Sequence, residues 1–195
     1  IDSRAAPPMK GEEPYDRPHR SLRSMGGTFA PAEFHVLVPA DEARPLDRLL
    51  ADRRLRVGTS QRATSEELTL RRALAFYGNS PRDMEAAGGR YIATTYTQLV
   101  AAFQDGQIDV VFAAGSGRTG VALEIESGRR ASKLIPFPPA LMDYLSSTYG
   151  YGKGEILADT YSRIQPGGAA VPVTTLEAVI LVSAGVSDDT VYRIV

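Results

Sequence analysis

Hydrophobic positions along the chain change period several times, and each change marks an element. Phe34, Val36 and Val38 alternate with Glu33, His35 and Leu37, the period of a strand, before a polar turn at Pro39 to Glu42. Leu55 to Val57 predicts a second short strand. Thr64 followed three residues later by Glu67 is a capping box, and Leu70, Ala73, Leu74 and Tyr77 then fall on one helical face that Gly78 closes. The unit recurs: a strand at Tyr91 to Thr94, a second possible capping box at Thr95 and Gln98, Leu99, Val100 and Phe103 on one face, and Gly106 as the stop. Ile108 to Gly115 is a continuous apolar run of strand length, as expected for a parallel strand buried on both faces. Thr119 to Ser127 predicts a short helix, Lys133 to Phe137 a strand, and Pro138-Pro139 the opening of a helix that carries Leu141, Tyr144 and Leu145 inward. Beyond Gly150 the period gives way to extended structure, Thr174 to Gly185 reads as one apolar strand, and Ser187-Asp188-Asp189 as the start of a last helix.

Residues 1–33, interrupted by Pro7, Pro8, Pro14, Pro18 and Pro31, show no sustained period and read as an irregular arm. Strands alternating with helices elsewhere predict an α/β fold with a mostly parallel sheet, helices on both faces and right-handed crossovers. Ligands of such sheets bind beyond the carboxyl ends of the strands. That rule selects three loops: Thr59 to Thr64, Thr94 to Tyr96, and Gly115 to Thr119.

Composition narrows the chemistry. The 195 residues include 43% hydrophobic ones, enough for a sizeable core, and no cysteine, which excludes disulfides, thiolate nucleophiles and iron–sulfur clusters. With 22 basic against 23 acidic residues the net charge is −1, which argues against a nucleic-acid partner; Arg53-Arg54, Arg71-Arg72 and Arg129-Arg130 read as solvated faces. No apolar run is long enough to span a membrane.

Gly115 to Gly120 spells GSGRTG, which fits the dinucleotide pattern G-x-G-x-x-G between a strand and a helix. The acidic residue that should follow at the end of the next strand is replaced by Pro136-Phe137-Pro138. Ser116, Arg118 and Thr119 instead offer hydroxyls, a guanidinium and backbone N–H groups to an anion at a helix N-terminus, and Thr59, Ser60, Arg62 and Thr64 repeat that set. The same residues also read as helix caps with solvated arginines, and the loops alone do not separate the two. The histidines, His19 and His35, lie far in sequence from these loops, and no catalytic or metal-ligand spacing occurs. Tyr161, in ADTYSR, is a candidate to line a cleft.

The order of segments resembles the TAXI family of extracytoplasmic solute receptors that serve TRAP-type secondary transporters. The resemblance is carried by FHVLVPADEARPLDRLLADRRLRVGTSQRATSEELTLRRALAFYG, by TYTQLVAAFQDGQIDVVFAAG and by ADTYSR with the terminal VPVTTLEAVILVSAGVSDDTVYRIV. Where the family's first loop commonly reads G-S-G-T, this chain has Gln61-Arg62-Ala63-Thr64, and where a Gly-Pro is common it has Gly115-Ser116-Gly117-Arg118. The resemblance implies a type II periplasmic-binding-protein-like lobe over residues 38–168. Residues 1–37 and 169–195 would then belong to the hinge and a partial first lobe. It further implies a periplasmic or extracytoplasmic location, no cofactor and no enzymatic activity. Capture of a small anionic organic solute, a carboxylate or amino acid, would occur by clamshell closure and end in delivery to the membrane components of the transporter. The expected ligand-binding residues are Thr59, Ser60, Arg62, Thr64, Thr95, Gly115, Ser116, Arg118 and Tyr161. Two other readings stand beside this one: a nucleotide-dependent α/β enzyme using the Gly115–Gly120 loop, and an effector-binding sensory domain.

Overall fold

A computed structural model describes residues 16–26 and 30–194. In chain order its first elements are β1 (Leu22–Gly26), β2 (Ala32–Pro39), α1 (Leu46–Ala51), β3 (Arg56–Thr59), α2 (Ser65–Phe76), α3 (Pro81–Ala86), β4 (Arg90–Ala93) and α4 (Tyr96–Gln104). There follow β5 (Val110–Gly115), α5 (Gly120–Ser127), β6 (Ser132–Leu134), α6 (Pro139–Tyr149), β7 (Gly152–Ile156), a 3-10 turn at Pro166–Gly168, β8 (Val171–Leu176), β9 (Ile180–Ser183) and α7 (Asp188–Ile194). Two units divide the chain: residues 32–175, and residues 1–31 together with 176–195.

In the larger unit, local chemistry sets the helix starts. Thr64, Thr95 and Thr119 cap α2, α4 and α5, each hydroxyl accepting from the backbone N–H three residues on, and Ser80 does the same for α3 with Pro81 in its first turn. Gly150 ends α6 in the left-handed conformation, φ 74°. The short helices α1 and α3 are additions to the sequence reading. Leu46, Leu49 and Leu50 give α1 a single buried turn, too brief to register as a period.

The sheet runs β4-β3-β5-β2-β8-β7, with β6 also on β2. Parallel pairing, expected through most of the sheet, joins β3 to β4 and to β5. Strand β2 lies antiparallel to β5 and β6, and β7 antiparallel to β8. The sheet is therefore mixed. The helix-bearing connections from β3 to β4 and from β4 to β5 suit parallel neighbours, whereas β7 returns to β8 without an α-helix and pairs antiparallel.

Helix α4 packs on α5, and α2 packs with α1 and α6. Gly58 faces α4 closely: a Cβ there would meet Leu99 Cδ1 at 2.5 Å and Ile108 Cδ1 at 2.6 Å. The central strand β2 is buried continuously from Phe34 to Val38. Phe34 meets Phe112 at 5.5 Å and Tyr151 at 6.1 Å between ring centroids, and Phe112 meets Phe137 at 5.9 Å. Tyr151 touches Phe34 and its neighbour Gly152 pairs with Thr175, and the chain leaves this unit on β8, the strand next to the β2 by which it enters.

In the smaller unit β1 pairs antiparallel with β9, Leu22 opposite Ser183. Residues 22–26 of the expected irregular arm are thus a strand, while residues 1–15 and 27–29 lie outside the described residues. The single strand expected over Thr174 to Gly185 is two, β8 and β9, interrupted at Glu177–Val179 and lying in different sheets. A continuous apolar composition cannot reveal that break.

Candidate functional site

Thr59 pairs with Ala93 on one side and Phe112 on the other, so the loops that follow β3, β4 and β5 leave neighbouring strand ends. Thr94 N–H donates to the Thr59 carbonyl at 3.1 Å and holds the first two together.

In the first loop the hydroxyls work inward. Thr59 is fully buried and donates to the Phe112 carbonyl at 2.9 Å. Thr64 donates to the Gln61 carbonyl at 2.7 Å, so the 2.6 Å contact between Ser60 and Thr64 is a bond donated by Ser60. Arg62 is exposed and lies close enough to Tyr91 to favour its ionised form. Ala63 is held at φ 67°, a left-handed conformation that favours glycine. The first turn of α2 carries its own counter-charges. Glu66 accepts from Ser65 at 2.9 Å and from the Tyr96 hydroxyl, and Glu67 accepts from Tyr91 at 3.1 Å and Arg71 at 3.0 Å. Burial, then the adjoining carboxylate, pushes both tyrosine hydroxyls well above their usual range.

The other two helix starts lack acidic residues in their first turns. Thr95 is exposed and caps α4. Gly115 ends β5 where a Cβ would lie 2.6 Å from Thr119 Cγ2, Gly117 sits at φ 64°, and Ser116 and Arg118 are exposed.

Beneath this third loop lies a buried chain of hydrogen bonds that sequence reasoning missed. Thr119 N–H donates to the Tyr161 hydroxyl at 2.8 Å, and that hydroxyl is 3.0 Å from His35 Nε2. His35 Nδ1 is 3.0 Å from the Glu33 carbonyl, which can only accept. The proton therefore belongs on Nδ1, and Nε2 accepts from Tyr161. Burial lowers the His35 pKa and raises that of Tyr161. Half-buried Glu33 stands opposite Gly115 in the β2–β5 register, and burial raises its pKa. Tyr161, expected to line a cleft, is 1% exposed and supports the loop from below. Only a joint reading of three segments reveals this, because Tyr161 and His35 are 126 residues apart.

A second buried group lies near the chain's exit from this unit. Thr69 and Tyr151 hydroxyls are 2.6 Å apart, Arg72 Nη1 donates to Tyr151 at 3.0 Å, and its guanidinium lies 3.9 Å above the Tyr149 ring. At the other end of β2 and β5 a cavity of about 620 Å³ is lined by Asp41, Glu42, Arg44, Asp109 and Arg130, among others. Its charges are largely paired already: Arg44 with Glu42 at 2.7 Å, and Asp109 with Arg56 at 2.7 Å and Arg130 at 2.9 Å. Among the described residues there is no group of three metal-ligating side chains, and no helix is long and apolar enough to cross a membrane.

Fold and loops together define an α/β protein whose larger unit gathers capped helix starts at neighbouring strand ends. The chain belongs to the NMT1-like family, whose profile matches residues 4–195. No curated protein matches it in sequence. Similar solved structures include the periplasmic aliphatic sulphonate-binding protein of Escherichia coli, 23% identical over 58% of this chain and 35% of that one, TM-score 0.41. Another is the alkanesulfonate-binding protein of Xanthomonas axonopodis pv. citri, solved with MOPS, 28% identical over 48% and 30%, TM-score 0.34. A third is the L-cystine solute receptor of Neisseria gonorrhoeae in its open form, 9% identical over 89% and 51%, TM-score 0.33. The chain spans about a third of the length of the two sulphonate-binding proteins and about half of the cystine receptor.

Proposed function

We propose that the chain is part of an extracytoplasmic solute receptor that holds a small organic solute bearing an acid group at the strand-end loops. The observation that carries this reading is the third loop. It joins an exposed Arg118 to a helix start that has no acidic residue in its first turn, and a buried tyrosine and histidine fix it from beneath. Micromolar affinity corresponds to about −8 kcal/mol, which charge-assisted bonds from a guanidinium and backbone amides to one acid group would supply in a site closed from water. The resemblance to TAXI receptors extends the proposal to delivery of the solute to a TRAP-type transporter. The nucleotide reading of GSGRTG is disfavoured by the next strand, which runs into Pro136-Phe137-Pro138 where an acidic residue would hold a ribose.

The test is a thermal-shift screen against carboxylates, amino acids, sulfonates and nucleotides. An acid-bearing solute should raise the melting temperature, and Arg118→Ala should remove most of that rise. Arg62→Ala should matter less, because Glu66 and Glu67 already complement the start of α2. A response to nucleotides alone would refute the proposal.

A further inference from the structure

We infer that the receptor takes up a proton together with its solute: an acid group bound at the third loop charges His35 beneath that loop, and Tyr161 carries the coupling between them. The inference rests on the receptor reading above and adds to it a second, linked ligand. His35 is fully buried, its Nδ1 3.0 Å from the Glu33 carbonyl and its Nε2 3.0 Å from the Tyr161 hydroxyl. The same hydroxyl accepts from Thr119 N–H at 2.8 Å and stands 3.3 Å from the Gly117 carbonyl. Tyr161 therefore meets the histidine on one side and two backbone groups of the third loop on the other.

This arrangement holds either protonation state of His35 without moving a heavy atom. With a neutral ring, Nδ1–H donates to Glu33 and Tyr161 donates to Nε2. When a proton from solvent joins Nε2, the new N–H donates to the Tyr161 oxygen, which has a second lone pair beside the one that Thr119 uses. The tyrosine's own hydrogen then turns to the Gly117 carbonyl. Every donor keeps an acceptor, so charge decides between the two states. Before a solute binds, charge favours the neutral ring: burial lowers the His35 pKa, and the loop above brings Arg118 and the positive end of α5. Glu33, two residues away on β2, acts in the other direction. The flanking strands β5 and β8 carry no titratable residue, and Lys133 of β6 lies opposite Val38, further along β2. On α5 and the Tyr161 segment, Glu126 is held by Arg163 N–H at 2.7 Å and Ser162 at 3.3 Å, while Glu124, Asp159 and the Arg163 side chain are exposed. An acid group at the loop adds a negative charge across the Tyr161 bridge from Nε2 and shifts the balance toward imidazolium. By linkage, the proton strengthens solute binding by the factor with which the solute strengthens proton binding.

Two measurements on the intact chain test both sides of that linkage, with ethanesulfonate and glutarate as probes. Calorimetric titration should give a Kd roughly threefold lower or more at pH 6 than at pH 8 for ethanesulfonate, whose acid group stays ionised throughout, with net proton uptake on binding. In NMR titrations, saturating probe should raise the His35 midpoint by about half a pH unit or more; His19→Gln leaves His35 as the only histidine and assigns its signals. His35→Gln should flatten the pH dependence of Kd, Tyr161→Phe should reduce it, and Glu33→Gln should keep it. A probe that binds with unchanged Kd and an unmoved His35 midpoint overturns the inference and leaves the receptor reading standing. So does a pH dependence that Glu33→Gln removes and His35→Gln leaves, because the proton then belongs to Glu33. Absence of binding by both probes also overturns the inference; if no acid-bearing solute in the wider screen binds, the receptor reading falls with it. The His35 midpoint is read on the chain with its coupling residues intact, so the result does not depend on how well the His35 and Tyr161 variants fold.

Discussion

Tyr161 and His35 show how a single side chain determines the order of a loop. Tyr161 is the acceptor for Thr119 N–H and the donor to His35, so Tyr161→Phe leaves two buried polar groups unsatisfied at once. We expect that substitution to lower stability by about 1–3 kcal/mol, read as a shift of the urea midpoint at unchanged slope. An unchanged midpoint would mean that water replaces the hydroxyl. His35 makes a separate prediction. Its pKa is held below the ordinary 6.5 chiefly by burial, so the unfolded chain binds a proton that the folded chain resists. The contribution of neutral His35 is therefore complete above about pH 6.5 and is lost as pH falls toward the lowered folded value. The urea midpoint of the native chain should drop between pH 7.5 and pH 5 by more than that of His35→Gln. Equal drops would assign the pH dependence to other groups.

At the scale of elements, what was legible in the sequence is what is local. Thr64, Thr95 and Thr119 announce their helices because a cap involves a hydroxyl and an amide three residues away. The direction of β2 was not legible: Phe34 to Val38 reads as a strand, but its antiparallel pairing with β5 depends on a partner about 80 residues on. That pairing brings Glu33 to Gly115 and His35 beneath the loop, which is why the charged and buried parts of the candidate site escaped the sequence reading. The apolar run from Thr174 hid a change of sheet for the same reason. The docking of α4 on β3 permits a sharp test. Gly58→Ala directs a methyl at Leu99 and Ile108 at 2.5 and 2.6 Å, so one layer must shift. We expect a loss of about 1–3 kcal/mol in unfolding free energy, partly restored by Leu99→Ala in the same chain. An additive double variant would show that the two positions do not share that space.

The whole molecule consists of two parts of unequal strength. The larger unit has a seven-stranded sheet around Phe34, Phe112 and Phe137, whereas the described sheet of the smaller one is β1 with β9. Two strands make a marginal structure without further support. Amide exchange should therefore be fast at Leu22–Gly26 and Ile180–Ser183 and slow by orders of magnitude at Phe34–Val38 and Val110–Phe112. Comparable protection in both sets would show that the smaller unit is held by more than its paired strands.

The adjacency of the strands by which the chain enters and leaves the larger unit also has a mechanical meaning. β2 and β8 are neighbours in the sheet; the larger unit begins at Ala32, the first residue of β2, and ends at Thr175, the last but one of β8. A pull applied between those two residues would peel the strands apart rung by rung instead of shearing the whole ladder together. The first rungs to open would be those between β2 and β8 beside Glu33, at a force far below the one needed to rupture the sheet, while the β2–β5 pairing that carries the third loop would stay closed.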